Sequence, residues 1–266
     1  MTPVPGYFVK GNGVPVVLLH CSMSTKEQWL NLSKILENKF KVIAIDLYGY
    51  GSTPFPEKTQ NFTLDDEIKL LEKVLELETE KNEKFHLVGH SYGGAIAMKY
   101  STLKSKKNLS LCVFEPMLNH IFKETDYDMF LLGKEFISEI ENDVLSGNPE
   151  KGCIKFIDLF SGEGTFEKLP KEFKEIFTNC IKKMPMDYKA TIDNSLNSKL
   201  YNNIDIPVCL ISGKKSPEIT SEISRFISGI IAGLKHFEVE GGHMSPLENP
   251  ESVNKIIFDF LISVTN

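Results

Sequence analysis

The chain has 266 residues, 41% of them hydrophobic and 25% charged, which is enough apolar content for the core of one large α/β unit or of a core with an insertion. Its formal net charge of −6 excludes the concentrated positive face that a nucleic-acid partner requires, and no apolar run reaches the length of a membrane span. The start, Met1 to Gly6, has neither the basic nor the apolar region of a secretory signal, and five cysteines fall at no paired or metal-binding spacing, so the expectation is a cytoplasmic protein without disulfides, metal or cofactor.

Short β-branched runs alternate with helical periodicities along the chain. Residues 14–20 predict a strand, 26–37 a helix, and 41–47 a second strand. A helix then opens at Thr63-Leu64-Asp65-Asp66 in the manner of a capping box and carries Leu64, Ile68, Leu71 and Leu75 on one face. Residues 85–90 predict the next strand, and Gly89-His90-Ser91-Tyr92-Gly93 follows at once, before a helix over 94–104. A G-x-S-x-G between strand and helix forces its serine onto a sharp turn, with the hydroxyl exposed above the carboxyl edge of a parallel sheet. Ser91 is therefore a candidate nucleophile.

Residues 110–115 predict another strand, after which the rhythm breaks. From 117 to 200 the sequence shows only helical stretches, interrupted at Gly147-Asn148-Pro149, Gly162-Glu163-Gly164, Leu169-Pro170 and Met184-Pro185. Strands at 206–212 and 235–240 and helices at 218–232 and 251–263 then resume the earlier pattern. The alternation predicts a mostly parallel, doubly wound α/β sheet formed by residues 1–116 and 201–266, with 117–200 an all-helical cap insertion. Because the insertion leaves from the carboxyl end of a strand, it is expected to lie over the edge where such sheets bind ligands.

A serine hydroxyl needs a base within reach and donors waiting for the oxyanion. Of six histidines, His243 stands out: it lies in Glu240-Gly241-Gly242-His243-Met244, after the last strand and before the last helix. His20 and His90 sit in motifs where the backbone matters more than the ring; His86 and His236 begin strands at the far end of the sheet, and His120 lies in the cap. Asp46 is placed to brace the glycine turn that follows it, and Asp205 precedes its strand, at the wrong end. Arg225 is the sole arginine, which argues against bidentate clamping of an anionic group and for an uncharged or weakly polar small-molecule substrate.

The elbow at Ser91, the strand end Leu18-Leu19-His20-Cys21-Ser22, the turn Asp46-Leu47-Tyr48-Gly49-Tyr50-Gly51-Ser52 and the closing stretch from Gly242 to Glu251 together resemble the α/β-hydrolase superfamily. The resemblance runs from about Val14 to Phe260, with motif support missing only in the cap. It implies Ser91 as nucleophile, His243 as base and the backbone N–H groups of Ser22 and Tyr92 as oxyanion donors. Two positions depart from the family pattern. Cys21 stands where glycine is usual, and as a thiol with no paired base it is read as packing rather than as a nucleophile. The loop that commonly carries the acid reads Gly213-Lys214-Lys215-Ser216-Pro217-Glu218, with no aspartate. Some members place the acid one strand earlier, where Glu115 stands, and a carboxylate ending an apolar strand is otherwise costly. Glu115 is the favoured acid, with Glu218 and an acid-less Ser/His dyad as alternatives.

The implied activity is that of a serine hydrolase of the esterase kind, acting on a small ester or related acyl compound through an acyl-enzyme on Ser91. The alternatives are an acyltransferase or perhydrolase on the same triad, or a catalytically weak ligand-binding module of the same fold. Trp29, Tyr48, Tyr50, Tyr92, Met117, Phe122, Phe130 and Phe136 fall near the expected mouth or in the cap; each is individually more in keeping with core packing, and only Tyr92 and the residues flanking Ser22 are expected to form the pocket wall. Only lysine and glutamate are expected to cover the cap helices, which argues against docking to a membrane through the cap. The oligomeric state has no sequence signal.

Overall fold

The computed structural model describes residues 5–57, 59–103 and 107–265. Seven strands form one sheet in the order β1-β3-β2-β4-β5-β6-β7: β1 (Tyr7–Lys10), β2 (Pro15–Leu19), β3 (Lys41–Ile45), β4 (Phe85–His90), β5 (Asn108–Phe114), β6 (Val208–Gly213) and β7 (Lys235–Val239). All neighbours run parallel except β1, which pairs antiparallel with β3 from Tyr7 opposite Ile45 to Lys10 opposite Val42. The expected mostly parallel sheet is present, with every predicted strand in it. β1 was missed because it is a short, half-buried edge strand without the continuous apolar run of the others.

The helices of the core are α1 (Leu30–Leu36), preceded by a 3-10 turn at Lys26–Trp29, α2 (Leu64–Glu78) and α3 (Tyr92–Ser101). The capping box of α2 forms as predicted, with the Asp66 carboxylate accepting the Thr63 N–H at 3.1 Å. The helix predicted over 94–104 begins two residues earlier, because it starts directly on the elbow; its predicted end at Lys104 lies outside the described residues, as do the first four residues of the chain.

Between β5 and β6 the described residues contain no strand. They form α4 (Phe122–Thr125), α5 (Tyr127–Leu145), α6 (Pro149–Ser161), α7 (Thr165–Lys168), α8 (Lys171–Cys180) and α9 (Met184–Thr191), with 3-10 turns at Asn119–Ile121, Ile181–Lys183 and Ser198–Asn203. The core resumes with α10 (Glu218–Ile230), α11 (Ser245–Glu248) and α12 (Pro250–Thr265). One sequence reading of this region needs correction. Its surface is not covered by lysine and glutamate alone, since Tyr127, Leu131, Leu132, Leu145, Phe173 and Ile176 are exposed there.

Alternation of side chains along the strands divides the core into two layers. Val16, Leu18, Val42, Ala44, Val88 and Phe114 pack against α1 and α12, whereas Val17, Leu19, Ile43, Ile45, Leu87 and Val113 pack on the side of α2, α3 and α10. These strand residues are at most 2% exposed, so the sheet is a rigid platform whose carboxyl edge carries the elbow. No helix among the described residues is long and apolar enough to cross a membrane.

Candidate active site

Ser91 joins β4 to α3 with φ 52° and ψ −113°, a conformation that side-chain-bearing residues avoid. Backbone hydrogen bonds hold it there: its N–H donates to Phe114 O at 3.0 Å, and its carbonyl accepts from Met117 and Ala95, each at 2.9 Å. The flanking glycines are sterically required. A Cβ at Gly89 would lie 2.5 Å from Gly93 O, and one at Gly93 would lie 2.4 Å from Leu19 O. The Gly93 N–H donates to His20 O at 3.1 Å, which draws the start of α3 against the His20-Cys21-Ser22 segment. Ser22 is thereby brought to the cavity that Ser91 lines, and Tyr92 follows Ser91 at the start of α3.

His243 is only 3% exposed, and its Nδ1 lies 2.7 Å from Glu115 Oε2. Glu115 ends β5 in the left-handed region, at φ 39°, and its second oxygen, Oε1, accepts the Gly213 N–H at 2.7 Å. Burial raises the Glu115 carboxyl, but the hydrogen bond and charge of His243, with Ser216 and the Gly213 N–H adding less, outweigh it and hold the group below its ordinary value. Glu218, the other acid considered, is exposed at the start of α10. The structure therefore brings Glu115 to the imidazole.

The backbone of His243 is fixed by His90, whose Nε2–H donates to His243 O at 2.9 Å, while Gln28 Nε2 lies 3.2 Å from His90 Nδ1. Burial, reinforced by neighbouring His243, pushes the pKa of His90 well down, so it acts as a neutral donor. The His243 ring lies between those of His90 and Phe160, with centroids 4.9 and 4.8 Å away. Phe160 belongs to α6, so a side chain of the helical segment between β5 and β6 touches the imidazole.

Ser91 and His243 together line two adjoining cavities. One is bordered chiefly by Met117, Phe136, Phe156, Tyr188 and Ile223 and contains about 470 Å³ of space not filled by atoms. The other, of about 550 Å³, is bordered by Ser22, Met23, Ile157, Phe177 and Leu247. Of the eight aromatic and methionine residues expected near the mouth, only Met117 and Phe136 line these cavities. Trp29, Tyr48, Tyr50, Tyr92, Phe122 and Phe130 are buried in the core instead, so Tyr92 does not form the wall expected of it, whereas Met23, flanking Ser22, does; large rings fill interior volume between the packed elements. Cys21 is buried, and burial pushes its thiol up to about 12, consistent with a packed side chain. Asp46 accepts from the N–H groups of Ser52 and Lys26, both at 2.8 Å, and braces its turn as expected.

The sequence reading missed a buried cluster below the elbow. Lys183, Asp187 and Glu67 are all fully buried; Lys183 Nζ pairs with Asp187 Oδ1 and lies 3.2 Å from Glu67 Oε1. Burial raises the Glu67 carboxyl to about 7 although Lys183 opposes the shift, whereas the Lys183 ammonium, penalised by burial, is raised overall by Asp187 and Glu67. Two signals pointed to the cluster: the four-residue spacing of Lys183 and Asp187, and the position of Glu67 beside Ile68 on the apolar face of α2. No group of His, Cys, Asp and Glu that could hold a metal ion occurs among the described residues.

Residues 14–250 match the family model described as the alpha/beta hydrolase fold. The monoacylglycerol lipase of Homo sapiens is 22% identical over 96% of this chain and 77% of its own length. A fluoroacetate dehalogenase from a Burkholderia species is 23% identical over 95% of this chain and 88% of its own. The crystal structure of the enol-lactonase from Burkholderia xenovorans superposes with a TM-score of 0.78 at 16% identity, over 97% of this chain and 96% of that one. The match spans the sheet, the elbow and the histidine loop alike, and the chain belongs to the α/β-hydrolase fold family and is an enzyme of that family.

Proposed function

We propose that the chain is a serine hydrolase that cleaves a small, uncharged ester or related acyl compound through an acyl-enzyme on Ser91. The observation that carries this reading is the 2.7 Å contact between His243 Nδ1 and Glu115 Oε2, on an imidazole that shares two cavities with Ser91. The carboxylate fixes the tautomer with hydrogen on Nδ1, which leaves Nε2 unprotonated and able to act as the base. His243 Nε2 takes the Ser91 proton as Oγ attacks the substrate carbonyl, and the N–H groups of Ser22 and Tyr92 receive the oxyanion. The imidazolium, stabilised by Glu115, returns the proton to the leaving alkoxide. Water then repeats the sequence on the acyl-enzyme and releases the acid.

The cavity of Met117, Phe136, Phe156 and Ile223 suits an apolar chain, and no arginine is available nearby to hold an anionic substrate. Displacement of halide requires a carboxylate nucleophile, and the elbow position carries Ser91, so dehalogenation is not part of the proposal. A cytoplasmic setting belongs to it: five cysteines, four of them buried as small apolar side chains, suit a reducing compartment. The test is labelling with an alkyl fluorophosphonate followed by hydrolysis of p-nitrophenyl esters of increasing chain length. One label per chain, lost in Ser91→Ala together with turnover, supports the reading. A folded wild-type protein that takes up no label overturns it.

A further inference from the structure

The buried cluster touches both residues whose N–H groups are assigned to the oxyanion, and it does so from two different parts of the fold. Ser22 Oγ donates to Asp187 Oδ2 at 2.6 Å, and Tyr50 OH donates to the same oxygen at 2.6 Å. Tyr92 OH donates to Glu67 Oε1 at 3.3 Å, while Glu67 Oε2 accepts the Tyr48 N–H at 3.2 Å. Lys183 bridges the two carboxylates and lies over the ring of Phe62 at 4.5 Å and that of Tyr92 at 5.2 Å. Asp187 and Lys183 come from the cap, on α9 and the turn before it; Glu67, Tyr50, Tyr92 and Ser22 belong to the core.

The peptide joining Cys21 to Ser22 shows what this arrangement does. Its carbonyl accepts from His20 Nδ1 at 2.7 Å and from the Ser24 N–H at 3.3 Å, so the Ser22 N–H on the same rigid plane is turned the opposite way. On the near side, the Cys21 N–H donates to Gln28 Oε1 at 3.2 Å. On the far side Met23 is in the left-handed region, at φ 59°, so the turn needs restraint beyond Ser22 as well. The Ser22 hydroxyl supplies that restraint, and its acceptor is a cap residue. Three buried ionisable groups are a poor choice if packing alone were needed, because apolar residues of the same volume serve stability equally well; what they offer is fixed, directional geometry.

We propose that Asp187 and Glu67, bridged by Lys183, are positioning residues that set the Ser22 and Tyr92 backbone donors against the developing oxyanion, so that the seating of the cap controls the chemical step. The proposal rests on the serine-hydrolase reading above. It assigns no contact with substrate to any of the three. Because they act on the transition state alone, their loss falls on kcat rather than on KM.

The decisive measurement compares wild type with Asp187→Asn in ester hydrolysis and in inhibition by an alkyl trifluoromethyl ketone, which adds to Ser91 as a hemiketal anion occupying the oxyanion position. In Asp187→Asn, kcat falls roughly 10- to 100-fold, the ketone inhibition constant rises by a comparable factor, and KM stays within about threefold. Ser22→Ala, which keeps the N–H and removes the hydroxyl, gives the same pattern, and the double variant is no worse than the poorer single one. If Asp187→Asn does not fold, Ser22→Ala decides alone. A folded Asp187→Asn or Ser22→Ala with wild-type kcat and ketone affinity overturns the network while leaving the nucleophile in place. Failure of wild type to take up a fluorophosphonate removes the underlying reading as well, so the two failures are distinct.

Discussion

Glu115→Gln tests the acid through geometry that leaves the amide little choice. The wild-type carboxylate accepts twice, from Gly213 N–H at 2.7 Å and from His243 Nδ1 at 2.7 Å. A glutamine has one oxygen, and the Gly213 N–H is a backbone donor that cannot turn away. Placing the amide nitrogen against Gly213 would oppose two donors in a buried site, a loss of about 1–3 kcal/mol. The oxygen therefore stays on Gly213 and the NH2 group faces His243, whose Nδ1 must then accept. This selects the tautomer with hydrogen on Nε2, the nitrogen that should receive the Ser91 proton. A wrong-tautomer imidazole costs about 10⁴-fold in kcat, or roughly 5.5 kcal/mol of barrier. The assay is single-turnover and steady-state hydrolysis of a p-nitrophenyl ester, with circular dichroism to establish folding. Wild-type kcat in folded Glu115→Gln would refute the argument, and a crippled Glu218→Gln beside it would move the acid to the commoner loop.

Burial lowers the pKa of His20 and of His120 to about 4, so each is neutral in the folded protein where the unfolded chain begins to protonate near 6.5. Their stabilisation is complete above pH 6.5 and is lost as pH falls toward 4, by up to ~2 kcal/mol each between pH 7.5 and 5. Urea unfolding at those two pH values should show the loss, smaller in His120→Gln; equal slopes would contradict it. Glu67 has the opposite sign, since its carboxyl is raised to about 7 and its contribution falls as pH rises from about 4.5 to 7, so Glu67→Gln should steepen the acid loss. In Gly93→Ala the new methyl meets Leu19 O at 2.4 Å and His20 O at 2.5 Å, both backbone atoms, and the elbow must shift. Ester turnover should fall at least ~100-fold with a destabilisation of about 1–3 kcal/mol, and a variant with wild-type turnover would show that the strand and helix are not in fixed contact. The Cys21 thiol, raised to about 12, should resist iodoacetamide at pH 8 in the native state and react in urea, as followed by mass spectrometry. Rapid native alkylation would show that the thiol is reactive through the cavity it lines beside Ser22 and is not a packed, inert side chain.

What could be read from the chain, and what could not, follows from the range of each interaction. Strands β2 to β6 were legible because both faces of each are covered, which leaves continuous apolar runs such as Val16-Val17-Leu18-Leu19. Ser91 was legible because the elbow's steric demands fall on adjacent positions, Gly89 and Gly93. Glu115 could be singled out because the resemblance puts the acid there in some members and because an ionisable group ending an apolar strand needs a partner; the fold sets it against His243, 128 residues away, and leaves Glu218 exposed. The cavity walls were not legible, since nothing local separates a phenylalanine that lines a cavity, such as Phe160, from one that fills the core, such as Phe122.

The buried cluster marks the same limit more sharply. Lys183 and Asp187 are one helical turn apart and announce themselves as a surface ion pair, the commonest and weakest reading of that spacing. Their actual partners, Glu67 and Ser22, lie 116 and 165 residues away, and the contact exists only once the cap has settled on the sheet edge. A pair that would be worth little in water becomes directional when it is fully buried, because each remaining lone pair and proton must then find a protein partner. In this chain those partners are the side chains of Ser22, Tyr50 and Tyr92, and Ser22 and Tyr92 are the two residues whose backbone N–H groups are proposed as the oxyanion donors. The helical segment between β5 and β6 thus touches the candidate site twice, through Phe160 on the His243 ring and through Asp187 on the Ser22 hydroxyl.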